Sequence, residues 1–247
     1  MGITLTQNFL SRFGFPASRL APDLSLALGS SSFSPAEMVR AYSILTNPKD
    51  PKDLFFIERI VDRDGNTIFK NPQIKNKKRN IDAFPWFQTE LTEEIKPFYL
   101  LPPIQKESIE PIDPRVTFIT KDILRESLSR GSNRRKTQVL DRSDIAGKTG
   151  TTNDAISTWF SGFHNNLATT VWVGTDDFSS LGDNEFGSSI ALPAWVDFMK
   201  TALINLPEED WKIPRGLSYV RVDRETGRPV DENSKNSYFE LFLDEDV

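Results

Sequence analysis

Apolar positions along the chain fall into helical spacings near both ends and into β-like runs between them. Leu5, Phe9, Leu10 and Phe13 recur at the interval of an amphipathic helix over residues 4–13, with Gly14 as its stop. Residues 20–33 follow as a short apolar run closed by Gly29 and three serines. Ser34-Pro35-Ala36-Glu37 then reads as a capping box with proline at the first helical position. The helix it opens sets Met38, Ala41, Tyr42 and Leu45 on one face, the spacing of a core helix. Residues 47–52 make a turn rich in proline and lysine. Residues 56–61 and 66–69 flank Asp64-Gly65, which is a hairpin signal. Similar Asp-Arg turns at Asp62 and Asp223 read as common hairpin chemistry, not as a repeat.

From residue 70 to 114 the pattern dissolves into an irregular loop insertion. It carries Lys75, Lys77, Lys78 and Arg79, then Pro85, Pro97, Pro102, Pro103, Pro111 and Pro114. The basic cluster reads as a solvated loop. Periodicity resumes at residues 116–130, where Ile119, Ile123, Leu124 and Leu128 make an amphipathic helix ended by Gly131. An extended run opened by Ile145 and Ala146 passes through Gly147-Lys148-Thr149-Gly150-Thr151-Thr152 into a turn at Asn153-Asp154. Residues 156–163 and 167–174 are β-rich and joined by His164-Asn165-Asn166, a hairpin beside that run. His164 reads as a solvent-exposed turn residue. Trp195, Phe198, Met199, Ala202 and Leu203 then take helical spacing over 193–206, a helix covering one face of the sheet. Residues 217–222 with Thr226-Gly227 suggest a last hairpin, and the acidic end, 240–247, reads as frayed. The expected class is α+β, an antiparallel sheet flanked by helices.

Composition narrows the chemistry. The 247 residues are 38% hydrophobic and 26% charged, the range of an ordinary globular protein. A formal net charge of -5 gives no footprint for nucleic acid. No run approaches the ~18 consecutive apolar residues of a membrane span, and Met1-Gly2-Ile3-Thr4 does not open a signal peptide. Without cysteine, thiol chemistry and cysteine zinc sites are excluded. A single histidine excludes multi-histidine metal sites and leaves one possible base for a Ser-His-Asp triad. No cofactor or metal is expected.

The candidate chemistry lies in Lys148-Thr149-Gly150-Thr151-Thr152. Lysine offers a compact positive charge, the threonines offer hydroxyl donors, and Gly150 lets another backbone come close. The triplet Lys-Thr-Gly alone arises by chance in roughly one chain in twenty of this length, so it decides nothing by itself. Gly147-Lys148-Thr149 also matches the end of a phosphate-binding loop, but that pattern demands glycine at 142, where Arg142 stands. Nucleotide binding is set aside.

Lys-Thr-Gly is one of three short motifs of the penicillin-binding proteins and serine β-lactamases. Five collinear segments together resemble the transpeptidase domain of bifunctional class A penicillin-binding proteins, the 1A type most closely. They are LSLALGSSSFSPAEMVRAYSILTN, FIERIVDRDGN, SDIAGKTGTTNDAISTWFSGF, TTVWVGTDD and ALPAWVDFMKTAL. Asn133 departs from the family's R-G-x-G-R-R turn, and asparagine tolerates left-handed backbone angles. The resemblance implies a β-lactamase/transpeptidase-like fold present in part. Residues 1–206 would be the C-terminal part of the transpeptidase domain, and 207–247 a C-terminal hairpin and acidic tail.

The resemblance also implies partners and roles. The partners are peptidoglycan stem peptides ending in D-Ala-D-Ala, with β-lactams as their mimics. Lys148, Thr149 and Thr151 would hold the substrate's terminal carboxylate, and the Thr151 N–H would be one oxyanion-hole donor. The strand edge from Lys148 through Gly150 to Thr152 would pair with the peptide. The family's Ser-x-x-K appears nowhere in the chain, and its Ser-x-N only as Ser234-Lys235-Asn236, on the wrong side of Lys148. No catalytic nucleophile is therefore assigned. The sequence reads as a longer protein cut after the second motif, whose glycosyltransferase domain and membrane anchor would lie upstream, at the periplasmic face of the bacterial inner membrane. A non-catalytic peptide-binding module and a hydrolase of the same superfamily are the competing readings.

Overall fold

The computed structural model describes residues 2–48, 54–71, 112–129 and 133–247. In chain order these form helices α1 (Ile3–Ser11) and α2 (Pro35–Thr46), strands β1 (Arg59–Val61) and β2 (Thr67–Lys70), and helices α3 (Pro114–Ser129) and α4 (Arg134–Thr137). Strands β3 (Ile145–Thr151), β4 (Ser157–His164) and β5 (Leu167–Gly174) come next, then helix α5 (Ala191–Ala202) and strands β6 (Leu217–Asp223) and β7 (Ser237–Leu243). The expected α+β class is what the chain adopts, and it divides into two compact units.

The smaller unit, Lys52–Gln105, contains the β1–β2 hairpin. Its turn closes because the Asp62 carboxylate accepts the N–H groups of Asp64 and Asn66 at 2.9 and 2.8 Å, while Gly65 takes a φ of 86°. Most of the irregular stretch expected over 70–114 lies outside the described residues, as does most of the turn expected over 47–52.

The larger unit, Met1–Pro51 with Lys106–Val247, is built on an antiparallel sheet in the order β3-β4-β5. Side chains alternate across a strand, so each face of the sheet collects every second residue. On one face Ile145 and Phe160 pack with Leu128, Leu192, Trp195 and Met199. Ala191, Trp195 and Met199 recur every fourth residue along α5 and are fully buried, which makes them the stripe that meets the sheet. Phe198, expected on that stripe, is 49% exposed, because a three-residue step from Trp195 carries it to the rim. On the other face Ala146 and Phe163 pack with Leu45, Phe118, Trp211 and Leu241.

Helix α2 starts as its sequence directs. The Ser34 hydroxyl accepts the Glu37 N–H at 3.3 Å, and the Glu37 carboxylate accepts the Ser34 N–H at 2.8 Å. Burial pushes the Glu37 carboxyl up, but its Ser34 bonds and the Arg19 guanidinium, 2.5 Å away, hold it below the usual range.

Two expectations at the chain's other turns are corrected. Asn133 adopts right-handed helical angles, φ -78° and ψ -22°, as the cap of α4, so no left-handed residue is needed there. The acidic end does not fray from residue 240. Residues 237–243 form β7, paired with β6 from Leu217↔Leu243 to Asp223↔Ser237, and Leu241 is buried. Ser-Tyr-Phe-Glu-Leu-Phe-Leu is a β-rich run, and its ladder outweighs the charges that follow it.

Candidate functional site

Strand β3 carries the Lys-Thr-Gly triplet along one edge of its sheet. It pairs with β4 from Ile145↔His164 to Thr151↔Thr158. Thr152 N–H donates to the Ser157 carbonyl at 3.1 Å, extending the ladder by one pair and fixing its phase. Backbone groups alternate in direction along a strand, so Lys148, Gly150 and Thr152 point theirs at β4. Those of Gly147, Thr149 and Thr151 face away from it.

Helix α3 covers the start of this outward edge, where Ser127 Oγ lies 2.6 Å from the Gly147 carbonyl oxygen. Beyond that point the edge carries Thr149 and Thr151. Lys148 is exposed and folds back over the edge, its Nζ donating to the Thr149 carbonyl at 3.1 Å and lying 3.4 Å from Thr149 Oγ1. Thr151 is exposed, and its hydroxyl accepts the Gly187 N–H at 3.0 Å. The structure thus gathers one ammonium, two hydroxyls and two outward peptide units at one place. Such a group can hold an extended peptide and a carboxylate together.

Thr152 stands apart from this group. Its hydroxyl accepts the Ser157 N–H at 2.8 Å and closes the turn that follows β3. Space at Gly150 is tight: a Cβ there would lie 3.2 Å from the Cβ of Trp159, its partner across the ladder. Gly147 is tighter still, with a Cβ 2.7 Å from the Phe160 ring and 2.8 Å from the Ser161 carbonyl. Sequence reasoning missed Ser127 and Gly187, because nothing in the local pattern of either residue marks a partner on a distant strand.

His164 is a correction. It is 1% exposed, the last residue of β4, and not a solvated turn residue. The register sets it opposite Ile145, beside the buried Asp144 carboxylate, 3.1 Å from Nε2. Asp144 also accepts from the Arg142 guanidinium at 2.8 and 2.6 Å and from the Glu209 N–H at 3.0 Å. Arg142 in turn donates to the carbonyls of Leu206 and Pro207 at 2.8 and 2.9 Å. This cluster ties the segment after α5 to the start of β3. Among the described residues the partners of His164 are Asp144, Arg142 and the Asn166 N–H, with no serine hydroxyl among them, so the cluster reads as structural.

Among the described residues, no group of acidic or histidine side chains could hold a metal ion, and no helix is long and apolar enough to cross a membrane.

No protein-family model matches the sequence. Penicillin-binding protein 1A of Pseudomonas aeruginosa is 34% identical over 266 residues, an alignment that takes in 100% of this chain and 32% of the relative. The Haemophilus influenzae protein of the same name is 31% identical over 301 residues, covering 96% of this chain and 35% of its own. The crystal structure of penicillin-binding protein 1A from Haemophilus influenzae matches with a TM-score of 0.75 at 32% identity, over 98% of this chain and 36% of that one. Penicillin-binding protein PonA1 from Mycobacterium tuberculosis, at 20% identity and a TM-score of 0.52 over 77% of this chain and 43% of that one, shares the fold alone. The chain spans about a third of the length of the relatives it matches. Throughout its length, then, the chain is homologous to the C-terminal portion of class A penicillin-binding protein 1A and carries the corresponding part of its transpeptidase-like fold.

Proposed function

We propose that this chain is the carboxylate-gripping part of a penicillin-binding DD-transpeptidase, which cross-links peptidoglycan stem peptides at the periplasmic face of the inner membrane. The observation that carries this reading is the meeting of Lys148, Thr149 and Thr151 at the outward edge of β3. A stem peptide would lie along that edge as an added strand, bonded to the backbone of Thr149 and Thr151. Its terminal carboxylate would take charge-assisted bonds from the Lys148 ammonium and the two threonine hydroxyls. The Thr151 N–H, which faces away from β4, would serve as one oxyanion donor for the carbonyl under attack. β-lactams would enter as mimics of the same peptide.

The attacking serine is not among these residues, since the 247 residues contain no Ser-x-x-K. The chain therefore grips the peptide's tail without forming an acyl-enzyme. Titration with diacetyl-L-Lys-D-Ala-D-Ala and with its C-terminal amide tests the grip. The acid is expected to bind about tenfold more tightly than the amide, and Lys148→Gln to abolish the preference. Equal binding of acid and amide would refute the reading. Fluorescent penicillin should leave no covalent band on the 28.1 kDa chain, and such a band would refute the non-acylating role.

A further inference from the structure

The Thr151 hydroxyl is held by a residue far away in sequence. Gly187, in the loop between β5 and α5, donates its N–H to Thr151 Oγ1 at 3.0 Å. A threonine hydroxyl has one proton and two lone pairs, and its rotor turns to suit its partners. A fixed N–H on one lone pair keeps the proton out of that direction. Among the described residues no acceptor takes that proton, so it is left for a ligand.

We propose that Gly187 is a positioning residue, whose backbone N–H sets the Thr151 hydroxyl to donate to the carboxylate of a bound D-Ala-D-Ala peptide. The inference rests on the reading of the β3 edge given above and adds the β5–α5 loop to the site.

Space supports it. A Cβ on Gly187 would lie 2.5 Å from the Trp159 carbonyl oxygen and 2.6 Å from that of Gly150. Both belong to the β3–β4 ladder, so neither can retreat without disturbing the strand that carries the triplet. Among the described residues Gly187 is the backbone N–H that donates to the Thr151 hydroxyl.

The loop is also fastened on both sides of Gly187. The Gly187 carbonyl accepts the Leu192 N–H at 2.8 Å, in the first turn of α5. The Phe186 N–H donates to Ser189 Oγ at 2.7 Å, and Lys136 Nζ reaches the Ser188 carbonyl at 2.5 Å. Lys136 belongs to the short basic run of α4, which thereby acts as a clamp on the loop. The N–H of Gly187 is thus presented from a hydrogen-bonded loop, as an orienting donor should be.

The test uses the acid and amide forms of diacetyl-L-Lys-D-Ala-D-Ala with Gly187→Ala, Thr151→Val and the double variant. Each single variant is expected to weaken the acid about tenfold, and Thr151→Val to leave the amide within about twofold. The double variant should lose little more than either single one, because both changes break one unit. Additive losses, unchanged acid affinity in Gly187→Ala, or equal losses for acid and amide in Thr151→Val would overturn the proposal. If Gly187→Ala does not fold, hydrogen exchange decides. The Gly187 amide should exchange faster in Thr151→Val and stay protected in Thr151→Ser, and an unchanged rate in Thr151→Val overturns the proposal. An unmodified chain that binds acid and amide alike would overturn the carboxylate reading itself. Acid preference lost in Thr151→Val but kept in Gly187→Ala would overturn only the role of Gly187.

Discussion

His164 shows how two neighbours, Asn166 and Asp144, fix one proton. Its Nδ1 accepts the Asn166 N–H at 3.3 Å, which leaves Nε2 to carry the hydrogen and donate to Asp144. Charging the ring would put a second proton on Nδ1, facing the Asn166 N–H. Burial holds the His164 pKa below its ordinary value, and the nearby Arg142 charge lowers it further, against the pull of Asp144 and Glu209. Asp144 stays ionised although burial opposes it, because Arg142, the Glu209 N–H and His164 all favour the anion. The folded histidine is therefore neutral where the unfolded one begins to charge. Stability is fully present above the unfolded pKa of about 6.5 and falls as pH drops through the folded value, by at most about 1.4 kcal/mol per pH unit for one proton. Since the chain has one histidine, urea unfolding between pH 7.5 and 5 should show this slope in the unmodified chain and a flatter one in His164→Gln. Identical slopes would show that the buried ring does not titrate on unfolding. Nothing around His164 in the sequence announces this role. Asn165-Asn166 signals a turn, and only the register with β3 brings Asp144, twenty positions earlier, beside the ring.

At the scale of elements, what was legible is what each segment encodes within itself. Ser34 to Glu37 specify the start of α2 through bonds three residues apart, and the structure makes both of them. Ser34→Ala removes the hydroxyl that receives the Glu37 N–H, and should cost about 1 kcal/mol of unfolding free energy. Ser34→Thr should retain most of it, because its hydroxyl can still receive the Glu37 N–H and donate to the Glu37 carboxylate as Ser34 does at 2.9 Å, and a loss of equal size in both variants would mean that the cap is not what holds this helix end. The three strands β3, β4 and β5 were equally plain, because β-rich runs joined by short turns leave few other pairings. Strand β7 was not, since its partner β6 lies across the intervening residues 224–236 and three acidic residues follow it. The edge of β3 was half legible. The triplet named the strand, whereas the covering of Gly147 by Ser127 and the bond from Gly187 to Thr151 come from segments 20 and 36 positions away.

Across the larger unit, the two faces of the β3-β4-β5 sheet are buried by parts of the chain with different reach. The α5 face is supplied by residues 128–203, but the opposite face gathers Leu45, Phe118, Ala146, Phe163, Trp211 and Leu241, so it closes only when both ends of the unit are in place. Trp211 is central to that closure. It stacks on Phe163 with ring centroids 5.9 Å apart, while Lys121 Nζ and the Arg125 guanidinium of α3 stand 4.4 and 5.3 Å from its ring. Burial, with some repulsion from Arg125, brings the Lys121 amine down to about 8. Hydrophobic periodicity reports neighbours within one element, so a lone tryptophan in Glu208-Glu209-Asp210-Trp211-Lys212 carries no sign that it belongs to a core. Its neighbours decide it: the Arg142–Asp144 pair holds the carbonyls of Leu206 and Pro207 and the N–H of Glu209, which delivers Trp211 to the sheet two residues later. Trp211→Ala should therefore cost about 3–5 kcal/mol, the range for emptying a large aromatic site. Asp144→Asn should cost less but act on the same site, by loosening the segment that leads to it. The signature is a double variant that loses less than the sum of the two, measured by denaturant unfolding. Strict additivity would mean that the charge cluster and the tryptophan stabilise the sheet independently.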